Sequence, residues 1–233
     1  MDHINPQSTD DLISHIFDSS LESLALFRKD FIEPVVRICD HIRLCYGQFL
    51  KFENHPTPDT QFMYVTAYVY TLVESLFSST KLLVHGFTAP SGILFRVSLE
   101  AMAMAVLIGL RGDILVMKKK NRCEYGNFFE GFLNGKSWSK PHIAIKILEQ
   151  NCCTIGLTEG ALKVLKESKD IYNDYAHASL CSIRLSVISE EKNVFGGGYN
   201  QEQKPLFEKE IQIRKQFVEG IPYFLESLYK RVA

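Results

Sequence analysis

The chain has 233 residues, with 26 Lys and Arg against 27 Asp and Glu, 46% hydrophobic and 12% aromatic residues, and a mean hydropathy of -0.03. This length and balance fit one globular domain with a substantial core, and eight Pro and fourteen Gly are too few for a fibrous or disordered chain. A net charge of -1 argues against a surface built as a whole to hold duplex nucleic acid.

The opening residues MDHINPQSTDDL carry no basic and apolar export signature, so reduced thiols in a cytoplasm are expected. Apolar spacing then reads as helix almost throughout. Thr9 or Asp10 caps a first helix to about Asp30, with Ile13, Phe17, Leu24 and Phe27 on one stripe. A second carries Phe31, Val35, Ile38, Ile42, Cys45 and Phe49 at bundle spacing, and Pro34 either starts it or kinks a longer helix. The run NHPTPD is a loop, followed by a third helix from about Asp59 to His85.

Gly86 ends that helix, and a fourth runs from Thr88 to about Leu110. It is apolar on nearly every side, which places it at the centre of a bundle. Arg96 and Glu100 interrupt it, so it reads as a core helix rather than a membrane span. Arg111–Ser139 is less regular and is expected to hold short helices. Helices follow over Pro141 to about Gln150 and Thr158 to about Ala178. Ile183, Leu185 and Val187 then alternate with polar residues, and Val194–Tyr199 returns as a second strand across a Glu190-Glu-Lys-Asn turn. A last helix covers about Leu206–Val232, with a bend expected at Gly220 and Pro222. The expected architecture is a single all-α domain, residues 1–233: a bundle of about seven helices with a small β-hairpin, about 182–200, before the C-terminal helix.

Two constellations carry possible chemistry. Arg96 and Glu100 lie four residues apart on one face of the most hydrophobic helix. They are either an internal ion pair that fixes helix docking, or part of a polar pocket in which Arg96 takes a carboxylate or phosphate. Further on, Asp170, Asn173, Asp174 and His177 form one polar ridge, followed by Ser179. An Asp one turn before His177 suits proton transfer, whereas a polar face ending in a histidine suits a helix C-terminus. A serine triad through Ser179 or Ser182 lacks a nucleophile-elbow sequence.

The run Asn173-x-x-x-His177 is similar to the signature of HEPN-type proteins, whose RNase members carry R-N/D/H-x-x-x-H. Tyr172 stands where that family has its Arg. Arg96-x-x-x-Glu100 followed by Tyr and His177-x-Ser179 also resembles a large group of prokaryotic helical proteins found around defence and mobile elements. The resemblance implies metal-independent RNA cleavage or a degenerate relative. In that scheme His177 acts on the ribose hydroxyl or the leaving oxygen, Asn173 orients the phosphate, and Arg96 replaces the missing cation. The alternative is a non-enzymatic module binding a protein partner or small ligand in an internal polar pocket lined by Arg96, Glu100, Tyr172 and His177, with Asp170 and Ser179 beside it. The departure at Tyr172 favours binding over catalysis.

No cofactor or metal is expected, since no C-x-x-C pair or zinc spacing occurs among the six cysteines and Gly196-Gly-Gly198 lacks the rest of a phosphate loop. Lys118-Lys-Lys-Asn-Arg122 is the one basic cluster, a solvated loop or an RNA-backbone contact. Trp138 between Lys136 and Lys140 is a packing anchor or a base-stacking platform. Phe128, Phe129 and Phe132 are core or a homodimer contact. RNA and a cognate protein are the candidate partners, and no membrane association is expected.

Overall fold

The computed structural model describes residues 21–119, 122–173, 175, 187–189, 194–195 and 198–233. Among these residues, eight α-helices form an all-α bundle. They are α1 (Leu21–Glu53), α2 (Thr60–Val84), α3 (Thr88–Ile108), α4 (Phe128–Leu133), α5 (Pro141–Gln150), α6 (Cys152–Ile155), α7 (Glu159–Asn173) and α8 (Lys204–Val232). Two antiparallel hairpins interrupt them, β1 (Asp113–Lys119) with β2 (Arg122–Asn127), and β3 (Val187–Ser189) with β4 (Val194–Phe195).

Helix α3 is the hub. Thirteen of its residues are buried, including Phe95, Leu99, Met104 and Leu107, and α2, α4, α5 and α7 all pack on it. It is long and apolar enough to cross a membrane by composition, yet most of it is enclosed by the other helices. Its place is therefore that of a core helix, as its lack of a polar face implies.

Of the two readings at Pro34, the longer helix is the one found, without a break between two N-terminal helices. One helix runs from Leu21 through Pro34 to Glu53. Proline removes one intrahelical hydrogen bond and crowds the preceding turn, at about 3 kcal/mol. Buried Phe27 and Phe31 on one side of it, and Ile38 and Ile42 on the other, hold the helix together through packing. Ile13 and Phe17 of the expected stripe lie outside the described residues. Helix α8 likewise runs unbroken through Gly220 and Pro222.

The ends of α2 match their signals. Asp59 caps it by accepting from the Phe62 amide at 2.7 Å, and also accepts from Arg111 Nη2 at 2.9 Å. Gly86, at φ +81°, turns the chain into α3. A Cβ there would collide with the backbone of Gly198, so glycine at 86 is needed for the turn and the segment after β4 to touch. Tyr199 next to it is buried among Phe27, Phe31 and Phe207, and its hydroxyl donates to Asp30 Oδ2 at 2.6 Å. That hydrogen bond holds the Asp30 carboxyl below its ordinary range.

The C-terminal hairpin occupies the expected region, with Val187 opposite Phe195. Arg111–Ser139, where short helices were expected in part, does hold one in α4, and it also holds the β1–β2 hairpin, which was not expected. Ile114 and Val116 are buried while Asp113 is exposed and Leu115 and Met117 are half-buried, the period of a strand. The Asn151 side chain fixes it to the end of α5: its Oδ1 accepts from the Leu115 amide at 2.9 Å and its Nδ2 donates to the Leu115 carbonyl at 2.9 Å. Trp138 lies over Gly131, where a Cβ would collide with the indole ring. With Phe128 at 5.9 Å as well, it packs on α4. Phe129 and Phe132 meet Tyr64 of α2 at 5.8 and 5.3 Å, so they serve the core.

Candidate functional site

The largest buried polar assembly is centred on α8. Glu210 and Arg214, one turn apart, are each 1% exposed and paired through Glu210 Oε2 and Arg214 Nη1. A charge pair removed from water in this way is costly unless its remaining polar atoms find partners. Here they do. The Tyr172 hydroxyl donates to Glu210 Oε2 at 2.9 Å and accepts from Arg214 Nη1 at 3.1 Å. The Tyr175 hydroxyl donates to Glu210 Oε1.

The other end of the guanidinium reaches α2 and α3. Arg214 Nη2 donates to Ser91 Oγ at 2.6 Å and to Ser79 Oγ at 3.3 Å. The two serines also exchange hydrogen bonds with each other's carbonyls, Ser79 Oγ to Ser91 O at 2.8 Å and Ser91 Oγ to Ser79 O at 2.7 Å. The Phe95 and Tyr172 rings lie 5.0 and 5.6 Å from Arg214 Cζ, a cation–π arrangement. Within this cluster, Arg214 Nε is the one side-chain atom without a partner among the described residues. Gly92 of α3 makes room for Tyr175, since any side chain there would strike the phenol ring.

These surroundings set the protonation states. Burial pushes both the Tyr172 and Tyr175 hydroxyls up, and Glu210 adds to that for each. For Arg214, burial acts against the charged form, but the Glu210 carboxylate bonded to it favours the proton, and the net direction is up. The result is a neutral tyrosine pair beside a fixed ion pair. Chemically this is a lock between α2, α3, α7 and α8, with every hydrogen bond but one satisfied internally.

The residues singled out from sequence divide among three places. Arg96 and Glu100 meet as expected: Arg96 Nε donates to Glu100 Oε1 at 2.9 Å, with side chains 18% and 16% exposed. The Tyr172 hydroxyl is bonded to Glu210 and Arg214 rather than to that pair. Asp170 is exposed on α7 and Asn173 half-buried at its last described turn. His177, Ser179 and Asp174 lie outside the described residues.

Sequence reasoning missed Glu210 and Arg214. Their i, i+4 spacing was visible, but α8 carries many charges and nothing marked this pair as the internal one. Among the described residues no cluster of His, Cys, Asp and Glu could hold a metal ion. The Sγ atoms of Cys152 and Cys153 are 3.9 Å apart and unbridged.

The second candidate feature is electrostatic. From β1 through α5 the sequence has Lys118, Lys119, Lys120, Arg122, Lys136, Lys140 and Lys146 against Asp113, Glu124, Glu130 and Glu149, a net of +3. With -1 for the whole chain, the remainder therefore carries -4. Lys118, Arg122, Lys136, Lys140 and Lys146 are all exposed, and each lacks an ion-pair partner among the described residues. Tyr125 of β2 is 65% exposed. Comparison of the chain with family models, curated proteins and solved structures gives no match.

Proposed function

We propose that the protein is an RNA-binding helical module, a catalytically degenerate relative of HEPN-type RNases of the kind found in prokaryotic defence systems. The observation that carries this reading is the unneutralised basic hairpin. Lys118 and Arg122 are exposed near its end, and an exposed Tyr125 on the same strand as Arg122 offers a face on which a base can stack. Cations without carboxylate partners release counterions from a phosphate backbone at little cost to the fold.

Degeneracy is supported by how the motif residues are engaged. Tyr172, at the position of the family's arginine, is fully buried and bonded to Glu210 and Arg214. Arg96 is already bonded to Glu100. A phosphorane needs a cation free to meet its growing charge, and neither group offers one.

The test is fluorescence anisotropy of a labelled single-stranded RNA, titrated at several salt concentrations with EDTA present. The parent is expected to bind, with affinity falling steeply as salt rises. The Lys118→Gln, Arg122→Gln double variant should bind more weakly and lower the salt slope by about 1.4, at roughly 0.7 per phosphate on a single strand. No binding at low salt, or an unchanged slope in the variant, would overturn the reading. Gel analysis of the same mixtures should show intact RNA. Cleavage that His177→Ala abolishes would instead make the protein an RNase.

A further inference from the structure

An apolar groove runs along α8 on the side facing α6 and α7. Its main lobe, about 210 Å³, has Met102 and Val106 of α3 among its lining, with Gly160 of α7 and Phe217, Gly220 and Phe224 of α8. A smaller lobe of about 70 Å³ shares Val106, Leu157 and Phe224 with the first and continues past Ser227 to Arg231. The two together follow one face of α8 from Gln216 to Arg231, about 22 Å at 1.5 Å per residue. Apolar cavities of about 150 Å³ already take up a benzene-sized molecule.

Two features point to the chemistry of an occupant. Two exposed glycines border the groove, and a Cβ at Gly160 or Gly220 would meet no atom within 4 Å, so a side chain added there has room without a clash. Its far end is cationic. Arg231 Nη2 donates to the Ile155 carbonyl at 2.9 Å, and its charge has no carboxylate partner among the described residues, whereas neighbouring Lys230 is paired with Glu226 at 2.7 Å. An elongated apolar trough ending at a guanidinium without a carboxylate partner among the described residues complements a molecule with a flexible hydrocarbon tail and one anionic head.

We propose that this groove binds a single-chain carboxylate amphiphile, a fatty-acid-like ligand, with its tail over Gly160 and Gly220 and its carboxylate at Arg231. This site uses none of the residues of the RNA reading and stands or falls independently of it.

Isothermal titration with octanoate, decanoate and dodecanoate, all below their micelle concentrations, tests the proposal, with methyl dodecanoate as the neutral control. Affinity for the acids is expected to rise by about fourfold per added methylene as the tail fills the groove. Gly160→Leu and, separately, Gly220→Leu place a side chain in the trough and should each weaken dodecanoate binding more than tenfold. Circular dichroism melts identify which of the two keeps the fold. Arg231→Gln should weaken dodecanoate about tenfold and leave methyl dodecanoate unchanged. Failure of the parent to bind dodecanoate, parental affinity in a folded groove-filling variant, or equal loss of acid and ester in Arg231→Gln would each overturn it.

Discussion

Two glutamate–arginine pairs, each spaced one helical turn, sit in very different surroundings. Arg96–Glu100 belongs to the most apolar helix of the chain, yet its side chains keep 18% and 16% of their exposure. Glu210–Arg214 belongs to the amphipathic α8 and is 1% exposed on both sides. The difference lies in company. Arg96 and Glu100 bond to each other, while Glu210 and Arg214 are met by Tyr172 of α7, Tyr175 just beyond it, and two serines from α2 and α3. Helix composition reports the mean environment of a segment; burial of a charge depends on what the other helices bring to that face.

Breaking the deeper pair should have the largest effect. Glu210→Ala strands a guanidinium and two phenol hydroxyls in the core, and is expected to cost roughly 3–5 kcal/mol. Urea denaturation reads it as a midpoint shift at constant m. A loss under about 1 kcal/mol would mean that water reaches Arg214.

Raising the pH probes the same cluster through its tyrosines. In the unfolded chain these phenols ionise near pH 10, whereas burial above all holds them protonated in the fold, with Glu210 adding to it for both and Arg214 opposing it at Tyr172. Stability from each is therefore complete below about pH 10 and is lost as pH climbs towards the folded value. The expected decline above pH 10 is about 1.4 kcal/mol per pH unit for each of the two. A Tyr172→Phe, Tyr175→Phe variant should show a visibly shallower decline. Equal slopes would remove the claim that these phenols are kept neutral by their surroundings.

The Arg96–Glu100 pair should respond least. Glu100→Ala is expected to cost about 1–2 kcal/mol, between the values for surface and buried pairs. A loss as large as that of Glu210→Ala would erase the contrast between the two helices.

Much of the architecture was legible because its signals are local. Asp59 before an apolar period, Gly86 after it and Pro141 at a helix start all act within a turn or two, and each element begins or ends there. The β1–β2 hairpin has a weak sequence signal because only Ile114 and Val116 carry the buried two-residue period before the basic run begins. Its anchor, Asn151, lies 36 residues along the chain from Leu115. The polar cluster was harder still, since Ser79, Ser91, Tyr172 and Arg214 come from four helices and only packing unites them. Tyr172 was picked out as a departure from a motif, while the residues that explain its burial gave no sign in sequence.

Double-mutant cycles on the two pairs test most directly whether one is the lock of the bundle and the other a local contact. Alanine variants of Glu210 and Arg214, singly and together, are compared by denaturation with the matching set at Glu100 and Arg96. The Glu210–Arg214 coupling is expected near the upper end of measured values, about 3 kcal/mol, and the Arg96–Glu100 coupling below about 1 kcal/mol. Equal couplings, or the larger one at Arg96–Glu100, would contradict the assignment of the structural charge pair to α8.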